Sequence, residues 1–171
     1  TVRRNYPPGM HGKESHGKKS DYSKQLREKQ KARRIFGVSE KQMQKYYAHA
    51  MKSKEDSGVV LLRELERRFD NVVFRSGLAA TRRQARQMVA HGMMQVNGQR
   101  VKVPSMQLNQ GDAFEVRANR KGISLFEPVS KRKLVLPKWL TLDQTALAGK
   151  VVGTADKDDV EASIAPHMII E

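Results

Sequence analysis

Between Phe69 and Val116 the spacing of apolar residues switches from a helical period to a strand period, and few folds accommodate both in so short a stretch. Thr81 and Gln84 stand three apart at the start of Arg82-Arg83-Gln84-Ala85-Arg86-Gln87-Met88-Val89-Ala90-His91. That spacing is a capping box, in which each side chain satisfies a backbone N–H left unpaired at a helix start. Gly92 stands where a left-handed residue would end the helix. At about 100° per residue, Arg82, Arg83 and Arg86 share one arc while Ala85, Met88 and Val89 fill the next. A short helix with arginine on one side and core on the other is the form of a small RNA-reading module.

The hairpin follows directly. Met94 and Val96 alternate with Gln95 and Asn97, and Val101 and Val103 alternate with Arg100 and Lys102. Asn97-Gly98 lies between the two runs, and both residues of such a turn need positive φ. Pro104 closes the second strand, Asn109-Gln110-Gly111-Asp112 reads as a turn, and Phe114 and Val116 mark a further strand. Upstream, Leu61, Leu62, Leu65, Phe69, Val72 and Val73 make one apolar face, so a single long helix is expected over 59–77, ended by Gly77. Arg63, Arg67, Arg68 and Arg75 are expected to project away from that face, with Asp70 a charge partner on the helix surface.

Charge bounds the function. The 171 residues carry 33 basic and 18 acidic side chains, a net +15. Neutralising phosphates releases counterions, so this excess points to a polyanionic partner. Residues 1–57 carry +9, residues 58–133 carry +9, and residues 134–171 carry −3. Two basic blocks and an acidic tail suggest two surfaces for nucleic acid and one for protein or solvent. The chain has no cysteine, which excludes disulfides and thiolate metal sites. No apolar run approaches the about 20 residues that cross a membrane.

Residues 1–20 form a basic, glycine-rich arm in which Pro7-Pro8 excludes helix. Such a segment gains order by lying on a partner, the alternative being a disordered tail. A strongly charged helix runs from Asp21 to Gly37 and has few apolar positions, so it suits phosphate contact; the alternative is a solvated face held by local pairs such as Glu28 with Lys31. Ser39 and Gln42 form a second capping box, followed by a buried stripe of Met43, Tyr46, Tyr47 and Ala50. Core packing suits the two tyrosines better than base stacking. Residues 53–58 read as a loop. Arg117 to Lys133 is basic again, and Trp139, Leu140 and Leu142 are expected to bury against the module or a neighbour. Asp156, Asp158 and Asp159 match no calcium loop.

Catalytic and metal chemistry find no support. His11, His16, His49, His91 and His167 lack ligand spacing, and there is no phosphate-binding glycine loop or nucleophile elbow. No catalytic residue, metal site or cofactor is expected.

A wider set of motifs resembles bacterial-type small-subunit ribosomal protein four. It comprises Tyr6-Pro7-Pro8-Gly9 with His11-Gly12, residues 26–31 (LREKQK) and 33–38 (RRIFGV), and residues 65–75 (LERRFDNVVFR). Thr81 to Gln87, His91-Gly92, Val96-Asn97-Gly98 and Pro137-Lys138-Trp139-Leu140 complete it. The resemblance implies a non-enzymatic binder of a multi-helix junction in the five-prime domain of small-subunit ribosomal RNA, attaching early in assembly. It also implies ribosomal protein five as a neighbour, protein three beside the messenger's path into the subunit, an influence on decoding accuracy, and a place in the ribosome; the cytoplasm is the default location, although a bacterial-type copy in an organelle would look alike. Some members carry a zinc-holding cysteine cluster before the Tyr-Pro-Pro-Gly motif; with no cysteine here, zinc is not implied.

The expected architecture is α+β: a mostly helical basic region (1–57), a module of two helices on a short antiparallel sheet (58–133), and an irregular C-terminal tail (134–171) packed on the rest. The expected mechanism is a clamp. Its first surface holds Arg3, Arg4, Lys24, Arg27, Lys31, Arg33 and Arg34. Its second holds Arg67, Arg68, Thr81, Arg82, Arg83, Arg86, Gln87, His91, Asn97, Arg100 and Lys102. Two other readings remain open at this level: a free RNA-binding stress or regulatory factor with the same module, and an RNA-modifying enzyme to which the module is appended.

Overall fold

The computed structural model describes residues 3–6, 8–12, 20–127, 129, 134–155 and 163–170. Expectations for Pro7, His16, Gly17, Lys131 to Lys133, Asp156, Asp158 and Asp159 lie outside those residues.

Helix α1 spans Asp21–Phe36, begins where the Ser20 hydroxyl accepts from the Ser23 N–H, and ends at Gly37 with φ +63°. Helix α2 (Glu40–Ala50) starts at Ser39, whose hydroxyl accepts from the Gln42 N–H. Helix α3 covers Ser57–Glu66 with Asp56 as its cap, so the expected loop stops short of Ser57. One core joins these three helices through Ala32, Phe36, Met43, Ala50, Leu61, Leu62 and Leu65.

The long helix expected over 59–77 is two helices. Helix α4 is Phe69–Arg75, and the chain between it and α3 makes a β-bridge from Arg68 to Gln107. The Phe69 N–H donates to Met106 O at 2.7 Å, Asp70 N–H to Pro104 O at 3.1 Å, and Leu108 N–H to Arg67 O at 2.9 Å. A strand-like partner from 34 to 41 residues downstream thus takes the bonds that an unbroken helix would make. The break turns Arg68 inward, against the expectation that it projects outward: Arg68 is 0% exposed and Asp70 only 4%.

Helix α5 (Arg82–Ala90) packs on α4. Thr81 Oγ1 accepts from the Gln84 N–H at 3.1 Å, and Gln84 Oε1 reaches back to the Ala80 N–H at 2.7 Å, one residue before the usual partner. Gly92 (φ +64°) ends it, with Met93 N–H donating to Met88 O. Strands β1 (Met94–Val96) and β2 (Gln99–Arg100) flank a turn with Asn97 at φ +49° and Gly98 at φ +79°. The strand pairing ends at Arg100; Lys102 and Val103 are exposed because the chain leaves the sheet to reach the α3–α4 break.

Strand β3 is Ala113–Val116. The tail expected to be irregular supplies two more strands, β4 (Leu140–Asp143) and β5 (Ala148–Val151), and the antiparallel sheet runs β2-β1-β3-β5-β4. The α+β class stands, but the module's sheet extends well past residue 133. Its core gathers Phe69, Val72, Met88, Val89, Met94, Phe114 and Val116 with Trp139, Leu140 and Val151 from the tail. Trp139 therefore buries against the module. Helix α6 (His167–Ile170) turns back onto α1 and α3, and Ile164 joins the N-terminal core.

Candidate nucleic-acid interface

The seam between the two cores is lined by guanidinium groups. Arg82 Cζ lies 5.0 Å from the centre of the Phe36 ring and 4.5 Å from that of Phe74. Its Nε donates to Asn71 Oδ1 at 2.9 Å. Asn71 is itself fixed, since its amide donates to Glu66 Oε2 at 2.6 Å and to the Glu66 carbonyl at 3.1 Å. Glu66, fully buried, also takes Arg75 Nε and Nη2 at 2.9 and 2.6 Å. One helical turn beyond Arg82, Arg86 Nη1 donates to the Gly37 carbonyl at 2.9 Å and lies 3.7 Å from Asp70.

Beneath them Arg68 grips Asp70 with a two-pronged contact, Nε at 3.1 Å and Nη2 at 2.7 Å, and gives Nη1 to Tyr46 Oη at 2.8 Å. Burial opposes the charge on Arg68, but the Asp70 carboxylate and Tyr46 hydroxyl outweigh it and hold the group above the ordinary arginine value. Arg68 thus neutralises a buried carboxylate and offers nothing to the surface, which corrects its place among the RNA-facing candidates. Tyr46 serves the same contact, consistent with a packing role.

A cleft of about 400 Å³ opens above this seam, lined by Arg33, Arg34 and Phe36 from α1 and by Arg82, Arg83 and Arg86 from α5. Among the described residues, the exposed side chains of Arg34 and Arg83 make no hydrogen bond or ion pair. The side chain of Arg86, anchored at one nitrogen, remains 46% exposed. Such groups can take phosphate oxygens without first breaking a contact in the protein.

The other candidates divide by how much of each is already engaged. Exposed Arg27 and Lys102 have no partner among the described residues, and Arg3, Arg4, Gln87 and His91 are exposed. Lys24 pairs with Asp21 at 2.8 Å, and Lys31 with Glu28 at 3.3 Å and with the Ser163 carbonyl. Arg33 pairs with Glu40 at 2.6 Å beside the 2.8 Å pair of Lys29 with the same carboxylate. The hydrogen bond from Lys29 holds Glu40 below the usual carboxylate value, against the opposing effect of burial. Arg67 donates to the Leu108 carbonyl and to Asn109 Oδ1, pinning the 104–109 segment. Thr81 caps α5, and Asn97 bonds the Ala113 N–H and Asp112 across its turn. Arg100 reaches the His91 carbonyl at 3.4 Å, where Arg117 joins it by bonding Gly92 O at 3.4 Å. Two cations at the C-terminal end of α5 offset its negative dipole.

The sequence reading missed Phe36, Phe74, Asn71 and the Gly37 carbonyl. Each matters only because α1, α4 and α5 converge, and no local pattern announces that meeting. Arg117 lies in the basic stretch 117–133, where no local pattern points to the end of α5.

Comparison with known proteins agrees with this division of the chain. Residues 2–66 match the family model described as the Ribosomal protein S4/S9 N-terminal domain, and residues 67–114 match the S4 domain, so the boundary falls at the α3–α4 break. The chain is similar over 99% of its length to small ribosomal subunit protein uS4 of Desulfitobacterium hafniense (strain DSM 10664 / DCB-2) and of Lawsonia intracellularis, 45% identical to each and spanning 82% of each relative. It is 43% identical to the protein of that name from Clostridioides difficile, again over 82% of the relative. On that identity and extent, the chain belongs to the family of small ribosomal subunit protein uS4.

Proposed function

We propose that this protein is a structural, non-catalytic component of the small ribosomal subunit and binds small-subunit ribosomal RNA directly. The observation that carries the reading is the arginine-lined cleft: Arg34 from the N-terminal helices and Arg83 and Arg86 from the module face one opening, the first two without partners among the described residues. The match of both domains, and of 82% of the relatives' length, supports a subunit component over a free factor that carries the module alone.

At finer detail, the RNA partner is the five-prime domain junction. Two positively charged surfaces at a fixed angle suit the shape and phosphate placement by which structured RNA is recognised. The protein attaches early, helps the body of the subunit to assemble, and contributes to decoding accuracy beside ribosomal proteins five and three and the incoming messenger, in the cytoplasm. Among the described residues no helix is long and apolar enough to cross a membrane.

The test is the salt dependence of binding to a junction transcript. Each phosphate contact contributes about 0.7–0.9 to the logarithmic slope. Replacing Arg34 and Arg83 together with Ala should weaken binding and reduce the slope by about 1.4–1.8. An unchanged slope removes the cleft from the interface.

A further inference from the structure

We propose that Arg82 is a positioning residue: wedged between Phe36 and Phe74, it sets the angle at which α1 and α5 present their arginines, and RNA affinity depends on it without a phosphate contact. The inference rests on the RNA-binding reading above and separates one member of the arginine arc from the other two.

The two apolar cores are distinct clusters, with Phe36 in the N-terminal one and Phe74 packed against the module's. Between them the seam is polar. Polar contacts cross or brace it: Arg82 on the two rings, Arg86 to the Gly37 carbonyl and Arg68 to the Tyr46 hydroxyl on the cleft side, with Asn71 and Arg75 on Glu66 and Gln107 on Glu64 beside the chain link. Apolar contact alone is non-directional and would leave the angle between two such units soft. A planar guanidinium held against two rings from different helices, and at its Nε by Asn71 Oδ1, is restricted in orientation. Asn71, 2% exposed and tied twice to Glu66, cannot swing to follow a displaced partner.

Arg82 is half-buried, whereas Arg83 and Arg86 are exposed. Its charge is therefore spent within the seam, and the open donors of the arc belong to its neighbours. A clamp binds its target only in the aligned arrangement, so the apparent dissociation constant rises as the aligned fraction falls. Loss of the wedge that cuts this fraction to a tenth raises it about tenfold.

The experiment uses the full chain with a junction transcript and, as a control, an RNA duplex of equal length. Arg82→Lys keeps the charge but loses the flat fork, and Phe36→Leu keeps the arginine but removes one ring. Both should weaken junction binding about tenfold while leaving duplex affinity and the salt slope at wild-type values; Arg83→Ala should instead lower the slope by about 0.7–0.9. Wild-type junction affinity in Arg82→Lys, or a slope reduced by Arg82→Ala as much as by Arg83→Ala, overturns the proposal. Hydrogen exchange of the free protein reads the wedge without RNA. Both Arg82→Lys and Phe36→Leu should speed exchange over residues 36–38 and 71–75, and unchanged protection there also overturns it. A wild-type protein that prefers the junction no more than the duplex defeats the RNA reading instead, a result the exchange data distinguish.

Discussion

Replacing Asp70 with Ala removes the carboxylate that Arg68 grips, leaving a guanidinium with 0% exposure whose remaining side-chain partner among the described residues is the Tyr46 hydroxyl. Breaking a buried pair by deleting one member costs about 3–5 kcal/mol, because the other charge stays buried uncompensated. For a chain of this size each kcal/mol lowers the melting temperature by about 2–4 °C, so a drop of roughly 6–20 °C is expected. Trp139, the only tryptophan, is 3% exposed in the module core and reports the transition by fluorescence. The decisive variant is the double replacement Arg68→Met with Asp70→Leu. It removes both charges at similar volume and should recover at least about 2 kcal/mol of the loss, since apolar replacement of a whole buried pair is often neutral. If Asp70→Ala melts within about 3 °C of the parent, or the double variant is no more stable than the single, the buried-pair reasoning fails.

Three further outcomes can be checked. Gly149→Ala should be poorly tolerated, because a Cβ there would sit 2.5 Å from Phe114 Cζ and 2.7 Å from the Thr141 carbonyl in the middle of the sheet; a loss of about 1–3 kcal/mol in denaturant unfolding is expected. Thr81→Ala should cost about 1 kcal/mol through the lost cap on α5, visible as faster hydrogen exchange at Gln84. Glu40 has a lowered pKa, so its contribution is fully present above the unfolded carboxylate value and is lost as pH falls through the lower folded one. A carbon-detected titration of Glu40 should show that depressed midpoint, moved toward the unfolded value by Lys29→Ala.

Where the sequence spoke clearly, the determinants were local. The ends of α1 and α5, the Asn97-Gly98 turn and strand β3 each follow from residues a few positions apart: a cap, a glycine, an alternation. The break at Arg67–Arg68 was illegible because the apolar period continues across it while the bonds that cause it come from Pro104, Met106 and Leu108. For the same reason Arg68 read as a surface cation, its hydroxyl partner lying 22 positions upstream. Strand β5 was hidden by Ala148 and Gly149, weak strand formers that the sheet uses because Phe114 presses against that point. The arginine arc was readable from helical phase, but its division into a wedge, an anchored donor and a free donor depends on α1 and α4.

The late strands β4 and β5 have a consequence for how the molecule comes into being on a translating ribosome. Until residues 140–151 emerge, β3 has no partner on its outer side, and the module's core lacks Leu140, Leu147 and Val151. Ile164 and α6 then add further surface to the N-terminal core. Residues 140–151 and 164–170 thus contribute packing to both halves after every arginine of the cleft has been synthesised. A fragment halted before Leu140 would carry every arginine of the cleft on a module whose sheet and core are incomplete.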